Sequence, residues 1–129
     1  MSIDNLVADV QQTPITIDLN TLETANQIFE VPGNSKVEIK VKDNPTTGFK
    51  WTMDASSCGA RLHSIQEDFQ PPTNGLIGAG GVRVWTMETP DPAENYIRGL
   101  PCTINFGFGR PWEQRGNEAP AKQISLVIN

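Results

Sequence analysis

Apolar side chains recur at every second position in run after run of this chain, and each run is cut short by proline or glycine. Lys36-Val37-Glu38-Ile39-Lys40-Val41-Lys42 is the clearest case. Its β-branched residues point one way and its charged residues the other, a pattern that fits a strand with one buried face. Ile15-Thr16-Ile17, Thr103-Ile104-Asn105-Phe106-Gly107-Phe108 and Gln123-Ile124-Ser125-Leu126-Val127-Ile128 repeat it. Phe49-Lys50-Trp51-Thr52-Met53 and Val82-Arg83-Val84-Trp85-Thr86-Met87 fit with Phe49, Trp51, Met53, Trp85 and Met87 inward, although Val82 and Val84 make the second run apolar on both faces. Ten prolines and eleven glycines, in groups such as Pro32-Gly33-Asn34, Asp43-Asn44-Pro45 and Pro71-Pro72-Thr73-Asn74-Gly75, leave no room for a long helix.

The expected class is therefore all-β, an immunoglobulin-like antiparallel β-sandwich of about seven strands. The strands fall near residues 15–18, 35–42, 49–54, 62–66, 82–89, 102–108 and 122–128. Residues 21–28 have a helical flavour and read as an insertion after the first strand. Residues 1–14 read as a loosely held N-terminal tail, and residues 15–129 as a single domain. A chain of 129 residues can bury roughly two-thirds of its unfolded surface without a metal or a dense disulfide framework.

Charge narrows the function. A net charge of −5 argues against nucleic acid, which requires a basic face to displace counterions. No stretch approaches the length of a membrane-spanning helix, and the N-terminus lacks the basic and apolar regions of a secretory leader. The default expectation is a cytoplasmic monomer, with an endolysosomal or secreted location if the sequence is that of a mature form.

In the sandwich topology, the connections after the second, fourth and sixth strands gather at one end. Each carries a distinctive patch. Asn44-Pro45-Thr46-Thr47-Gly48 is stiff: Pro45 fixes its own φ and holds Asn44 extended, Thr46 and Thr47 are restricted at χ1, and Gly48 can take a positive φ. Gly78-Ala79-Gly80-Gly81, preceded by Leu76-Ile77, is bare enough for another main chain to approach it closely. It is not a phosphate cradle, because neither a Lys-Ser/Thr pair nor a helix follows. Arg110-Pro111-Trp112 sets two residue types favoured at binding hot spots around a proline.

Asn44-Pro45-Thr46-Thr47-Gly48-Phe49-Lys50-Trp51, then Pro71-Pro72 followed by Leu76-Ile77-Gly78-Ala79-Gly80-Gly81, then Arg110-Pro111-Trp112 resemble in order and spacing the chagasin family of protein inhibitors of papain-like cysteine peptidases. The resemblance covers roughly residues 35–128. It implies a reversible, non-covalent, competitive inhibitor whose three loops occlude the active-site cleft of cathepsin-L-like and related enzymes. It places the Thr46-Thr47 wedge near the nucleophilic cysteine, and Trp112 with Arg110 on the primed side. The protease-binding set is then Asn44, Pro45, Thr46, Thr47, Gly48, Phe49, Leu76, Gly78, Ala79, Gly80, Gly81, Arg110, Pro111 and Trp112. The longer segment at 19–33 and the two cysteines depart from the family pattern.

Cys58 and Cys102 fall at the opposite end, where the close of the third strand meets the start of the sixth. They can form a disulfide or remain separate thiols, and a bridge would favour an oxidising compartment. One histidine, His63, and two cysteines do not make a metal site, and no cofactor is implied. Glu67, Asp68 and Glu88 look like solvated strand-end charges, with no acid–base pair among them. The rival readings are a non-inhibitory immunoglobulin-like binding or adhesion module and, more remotely, an enzyme with Cys58 or Cys102 as nucleophile.

Overall fold

Alternation in sequence becomes alternation in burial. The computed structural model describes residues 14–72, 80–110 and 120–129, and among them eight strands form two sheets. These are β1 (Ile15–Asp18), β2 (Asn26–Val31), β3 (Lys36–Asp43), β4 (Lys50–Asp54), β5 (His63–Gln70), β6 (Gly81–Glu88), β7 (Cys102–Gly109) and β8 (Lys122–Ile128). One sheet has the order β1-β3-β6-β5 and the other β2-β8-β7-β4. Val37, Ile39 and Val41 of β3 meet Trp85 and Met87 of β6, Ile104 and Phe106 of β7, and Ile124, Leu126 and Ile128 of β8 in one buried core. The all-β sandwich expected from the sequence is the fold observed.

The reading of residues 21–28 is corrected. Residues 19–21 form a single 3-10 turn, capped by the Asp18 carboxylate accepting from Asn20 N–H at 2.9 Å, and Asn26–Val31 is a strand. β2 pairs in parallel with β8, from Asn26 opposite Gln123 to Val31 opposite Ile128. Backbone pairing along β8 outweighs the weak helical periodicity, and it buries Val31 fully. β1 likewise pairs in parallel with β3, Ile15 opposite Val37. Parallel neighbours cannot be joined by a hairpin. The chain satisfies that rule by leaving the first sheet after β1, running down the second as β2, and returning as β3. The sandwich is thus antiparallel except at these two pairings.

The far end of the sandwich is clamped. Cys58, in the 3-10 segment Ser56–Arg61, is disulfide-bonded to Cys102 at the start of β7, with Cα atoms 5.0 Å apart. This settles the alternative left open by the sequence, and both cysteines of the chain are used. Ser57 Oγ donates to Thr103 O at 2.6 Å and accepts from Thr103 N at 2.9 Å beside the bridge. Buried Arg61 donates to Leu100 O at 2.7 Å and to Cys58 O at 3.3 Å, so its guanidinium is held by carbonyl dipoles. Residues 1–13 of the expected tail lie outside the described residues.

Candidate functional site

Strand register determines where the three connecting loops start and finish. β3 and β6 are antiparallel with Asp43 opposite Gly81, so residue 44, which opens the first loop, lies beside residue 80, which closes the second. β4 and β7 are antiparallel with Lys50 opposite Gly109, so the close of the first loop lies beside Arg110, which opens the third. The bases of all three loops therefore meet at one end of the sandwich, with the first loop between the other two. The disulfide occupies the opposite end.

The first loop is stitched into itself. Asn44 Oδ1 accepts from Thr46 N–H at 3.2 Å and from the Thr46 hydroxyl at 2.7 Å, while Asn44 O accepts from Thr47 N–H at 3.2 Å and the Thr47 hydroxyl at 2.9 Å. Thr47 Oγ1 in turn accepts from Phe49 N–H at 3.3 Å. Residues Pro45–Thr47 make a 3-10 turn, and Gly48 leaves it at φ 80°, a conformation that strains any residue with a Cβ. Asn44 is thus the organising residue: its side chain mimics a backbone turn, which is why asparagine suits the position before a proline turn. Thr46 and Thr47 stand exposed at the tip.

An aromatic ladder carries the first loop onto the third. Phe49 stacks on Phe108 with ring centroids 5.0 Å apart, and Trp51 follows at 4.7 Å from Phe108. The Arg110 guanidinium lies 4.5 Å from the Phe49 ring centroid, within cation–π range. Trp51 Nε1 donates to Lys42 O at 3.1 Å, which fastens the ladder to β3 across the two sheets. Phe108, expected inward with Ile104 and Phe106, is 46% exposed and lies against Phe49 and Trp51 at the loop end.

An ion pair lies at the strand ends from which the first and second loops leave. Asp43 and Arg83 continue the inward-facing parity of β3 and β6 to the loop end. Arg83 Nε donates to Asp43 Oδ2 at 2.7 Å, with the Asp43 side chain only 2% exposed. Arg83 NH1 reaches Glu67 Oε2 at 3.0 Å, and its guanidinium lies 5.6 Å from the Phe69 ring centroid. Glu67, read from the sequence as a solvated charge, is therefore paired. Gly81 is buried at the head of β6, where a Cβ would come within 2.7 Å of Phe69 Cζ and closer still to Gln70 O. Gly80 packs against Asp43 O, 3.2 Å from where its Cβ would be. The bareness of Gly81 has a reason inside the sheet, a close approach of the neighbouring strand that glycine alone permits, and Gly80 sits in a tight but less demanding contact.

Of the candidate binding residues, Asn44, Pro45, Thr46, Thr47, Gly48, Phe49, Gly80, Gly81 and Arg110 thus belong to one end of the molecule. Leu76, Gly78, Ala79, Pro111 and Trp112 lie outside the described residues. Of the support beneath them, Asp43, Arg83 and Phe108 were not singled out by sequence reasoning, and Glu67 was read only as a solvated charge. An acidic residue at the end of one inward-facing run and an arginine near the start of another was the available signal. Among the described residues no group of His, Cys, Asp or Glu side chains could hold a metal ion, and His63 is exposed.

A family model described as Chagasin family peptidase inhibitor I42 matches residues 30–128. Chagasin from Trypanosoma cruzi is 25% identical over 96 residues, covering 72% of this chain and 81% of its own length. Amoebiasin-2 from Entamoeba histolytica is 22% identical over 116 residues, covering 90% of this chain and 89% of its own. Two solved structures share the fold. A cysteine protease inhibitor from Entamoeba histolytica gives a TM-score of 0.65 at 17% identity, covering 90% of this chain and 95% of that one. Amebosin in solution gives 0.61 at 20% identity, covering 91% and 99%.

Proposed function

This chain belongs to the chagasin family of peptidase inhibitors, and from that membership we propose that it inhibits papain-like cysteine peptidases reversibly, non-covalently and competitively, by inserting its loop end into the active-site cleft. The observation that carries the reading is the double register at that end, Asp43 opposite Gly81 and Lys50 opposite Gly109, which brings the bases of three loops into line. A cleft enzyme requires a partner with a narrow protruding edge. Three loop bases in line across the end of a sandwich suit such an edge.

The chemistry of inhibition follows from rigidity. The Asn44, Thr46 and Thr47 hydrogen bonds and the aromatic ladder hold the first loop before any enzyme arrives, so little conformational entropy is lost on docking. A loop locked in a 3-10 turn does not offer an extended peptide bond to the nucleophile, and it blocks the cleft without being processed as substrate. The second loop contributes main-chain pairing of the kind extended substrates make. Trp112 and Arg110 supply the hot-spot contacts, the indole worth about 2 kcal/mol when buried by the enzyme. The interface is of standard size, about 1,600 Å² in total. The Cys58–Cys102 bridge supports an oxidising compartment as the place of action.

Titration of papain or a cathepsin-L-like enzyme tests the proposal. The expected result is a linear loss of activity to a stoichiometric end point, relieved by raising substrate. Thr47→Ala and Trp112→Ala should each weaken inhibition by about tenfold or more with little change in melting temperature. An enzyme left fully active would identify the domain as a non-inhibitory binding module. Wild-type inhibition by both variants would show that the wrong loops have been assigned.

A further inference from the structure

A fourth segment crosses the loop end. β1 is parallel to β3 and β2 is parallel to β8, so the connection between β1 and β2 must leave beside the end of β3 and re-enter beside the start of β8. The first loop follows the end of β3, and the third loop closes at the start of β8. Residues 19–25 therefore run from one sheet to the other at that same end of the sandwich, along the edge just outside β3 and β8.

Local contacts hold this crossover in place. Leu19 is fully buried beneath it. Lys42 N–H donates to Asn20 Oδ1 at 3.3 Å, one residue before Asp43 and the first loop. Asp18 Oδ1 also accepts from Asn20 Nδ2 at 2.8 Å, and Glu23 N–H donates to Gln27 Oε1 at 2.9 Å. Thr21, Glu23, Thr24 and Ala25 face solvent. Between residues 22–25 and 120–123 lies an open cleft of about 530 Å³, large enough for one or two side chains of a partner. The rim of that cleft carries Glu23 on one side and Lys122 on the other. The crossover also precedes residues 30–128, the stretch that the family model matches.

We infer that residues 21–25, with the cleft they form against residues 120–123, are a fourth contact with the peptidase and a determinant of which peptidases are held tightly. The inference rests on the proposed function. A body that closes over both the first and third loops comes against the segment that flanks them at the sheet edge, beside the end of β3 and the start of β8. Its contact there is polar, through the Glu23 carboxylate and the Thr24 hydroxyl, the Thr21 hydroxyl being turned back onto Asp18 O at 3.1 Å, so it suits a basic or hydrogen-bonding patch at the rim of the enzyme's cleft. A rim charge of this kind acts chiefly on association rate and on discrimination between partners.

Glu23→Lys and Thr24→Trp test the inference against a panel of papain-like peptidases that differ in surface charge beside the cleft, with Glu94→Trp at the opposite end as control. The expected result is an unchanged melting temperature, a loss of about tenfold in affinity with Thr24→Trp for at least one peptidase, and a changed ranking of the panel with Glu23→Lys. Glu94→Trp should change nothing. If the wild type inhibits and both crossover variants stay within twofold of it for every enzyme, the fourth contact is refuted while the inhibitor reading stands. If the wild type inhibits none of the panel, the inhibitor reading falls and takes the fourth contact with it.

Discussion

Arg83→Met breaks the ion pair that lies beneath the first and second loops. Asp43 is almost wholly enclosed, its Oδ2 lies 2.7 Å from Arg83 Nε, and its Oδ1 finds no hydrogen-bond partner among the described residues. Removing the guanidinium leaves a buried carboxylate with nothing to offset its desolvation, a change that costs about 3–5 kcal/mol in buried pairs. Arg83 is 17% exposed, and water that reaches the vacated site softens the penalty toward the lower figure. The Glu67 contact adds little, because that carboxylate is 44% exposed and exposed pairs contribute about 0–1 kcal/mol. Losing the stack on Phe69 adds about 0.5–1 kcal/mol. The expected cost of Arg83→Met is about 3 kcal/mol, and of Glu67→Gln under about 1 kcal/mol. Guanidinium unfolding of the oxidised protein reads both directly, and a thermal scan should show a drop of roughly 10 °C for Arg83→Met. The double variant Asp43→Leu with Arg83→Met should recover most of the loss, since an apolar pair replaces a charge left alone. If the double variant is as unstable as the sum of its single changes, within about 0.5 kcal/mol, the two side chains are not coupled and the argument fails.

Other consequences are quicker to check. Reducing the Cys58–Cys102 bridge, which closes a separation of 44 residues, should cost about 4 kcal/mol in the chain-entropy account, measured by denaturation with and without dithiothreitol. Because the bridge is at the far end, the reduced protein should still inhibit at temperatures where it remains folded. Gly81→Ala should destabilise by about 2 kcal/mol or more, because its Cβ would overlap Gln70 O and Phe69, and a melting curve within about 1 °C of wild type would contradict that packing. The hydrogen bond from the Ser56 side chain, helped by Ser56 N–H at 2.9 Å, holds the Asp54 carboxyl below its ordinary range. A depressed carboxylate stabilises the fold above its unfolded pKa and loses that contribution as pH falls through the folded one, so the effect is present at neutral pH and disappears in acid. Ser56→Ala should move the Asp54 titration upward by NMR, and an unmoved titration would assign the shift to another cause.

Much of this fold was legible because its central strands alternate cleanly. In β3 each inward residue is apolar until Asp43, and each outward one is charged. β2 escaped because its alternation is inverted: Gln27 points toward the sandwich while Ile28 is 58% exposed, and Leu22, Ala25 and Ile28 recur at a spacing that imitates a helix turn. Its parallel pairing with β8 joins residues about a hundred positions apart, and no local pattern announces such a partner. The first loop was readable from Asn44, Pro45 and Gly48, since each has a backbone reason to be there. What the residues did not disclose was the framework below. Asp43 ends β3 and Arg83 lies near the start of β6, where charges usually face water; only the β3–β6 register turns both inward against one another. The aromatic ladder was half visible, because Phe49 and Trp51 suggested core positions, while the partner that exposes their edge, Phe108, looked equally buried.

Alkylation of a target peptidase's nucleophilic cysteine by iodoacetamide, followed in the presence of rising amounts of this protein, measures occlusion of the cleft itself. Insertion of the loop end predicts protection that grows in proportion to the complex and is complete at one equivalent. A cysteine that reacts at the rate of the free enzyme while the complex is fully formed would mean that the loops at Thr46, Gly80 and Arg110 bind elsewhere.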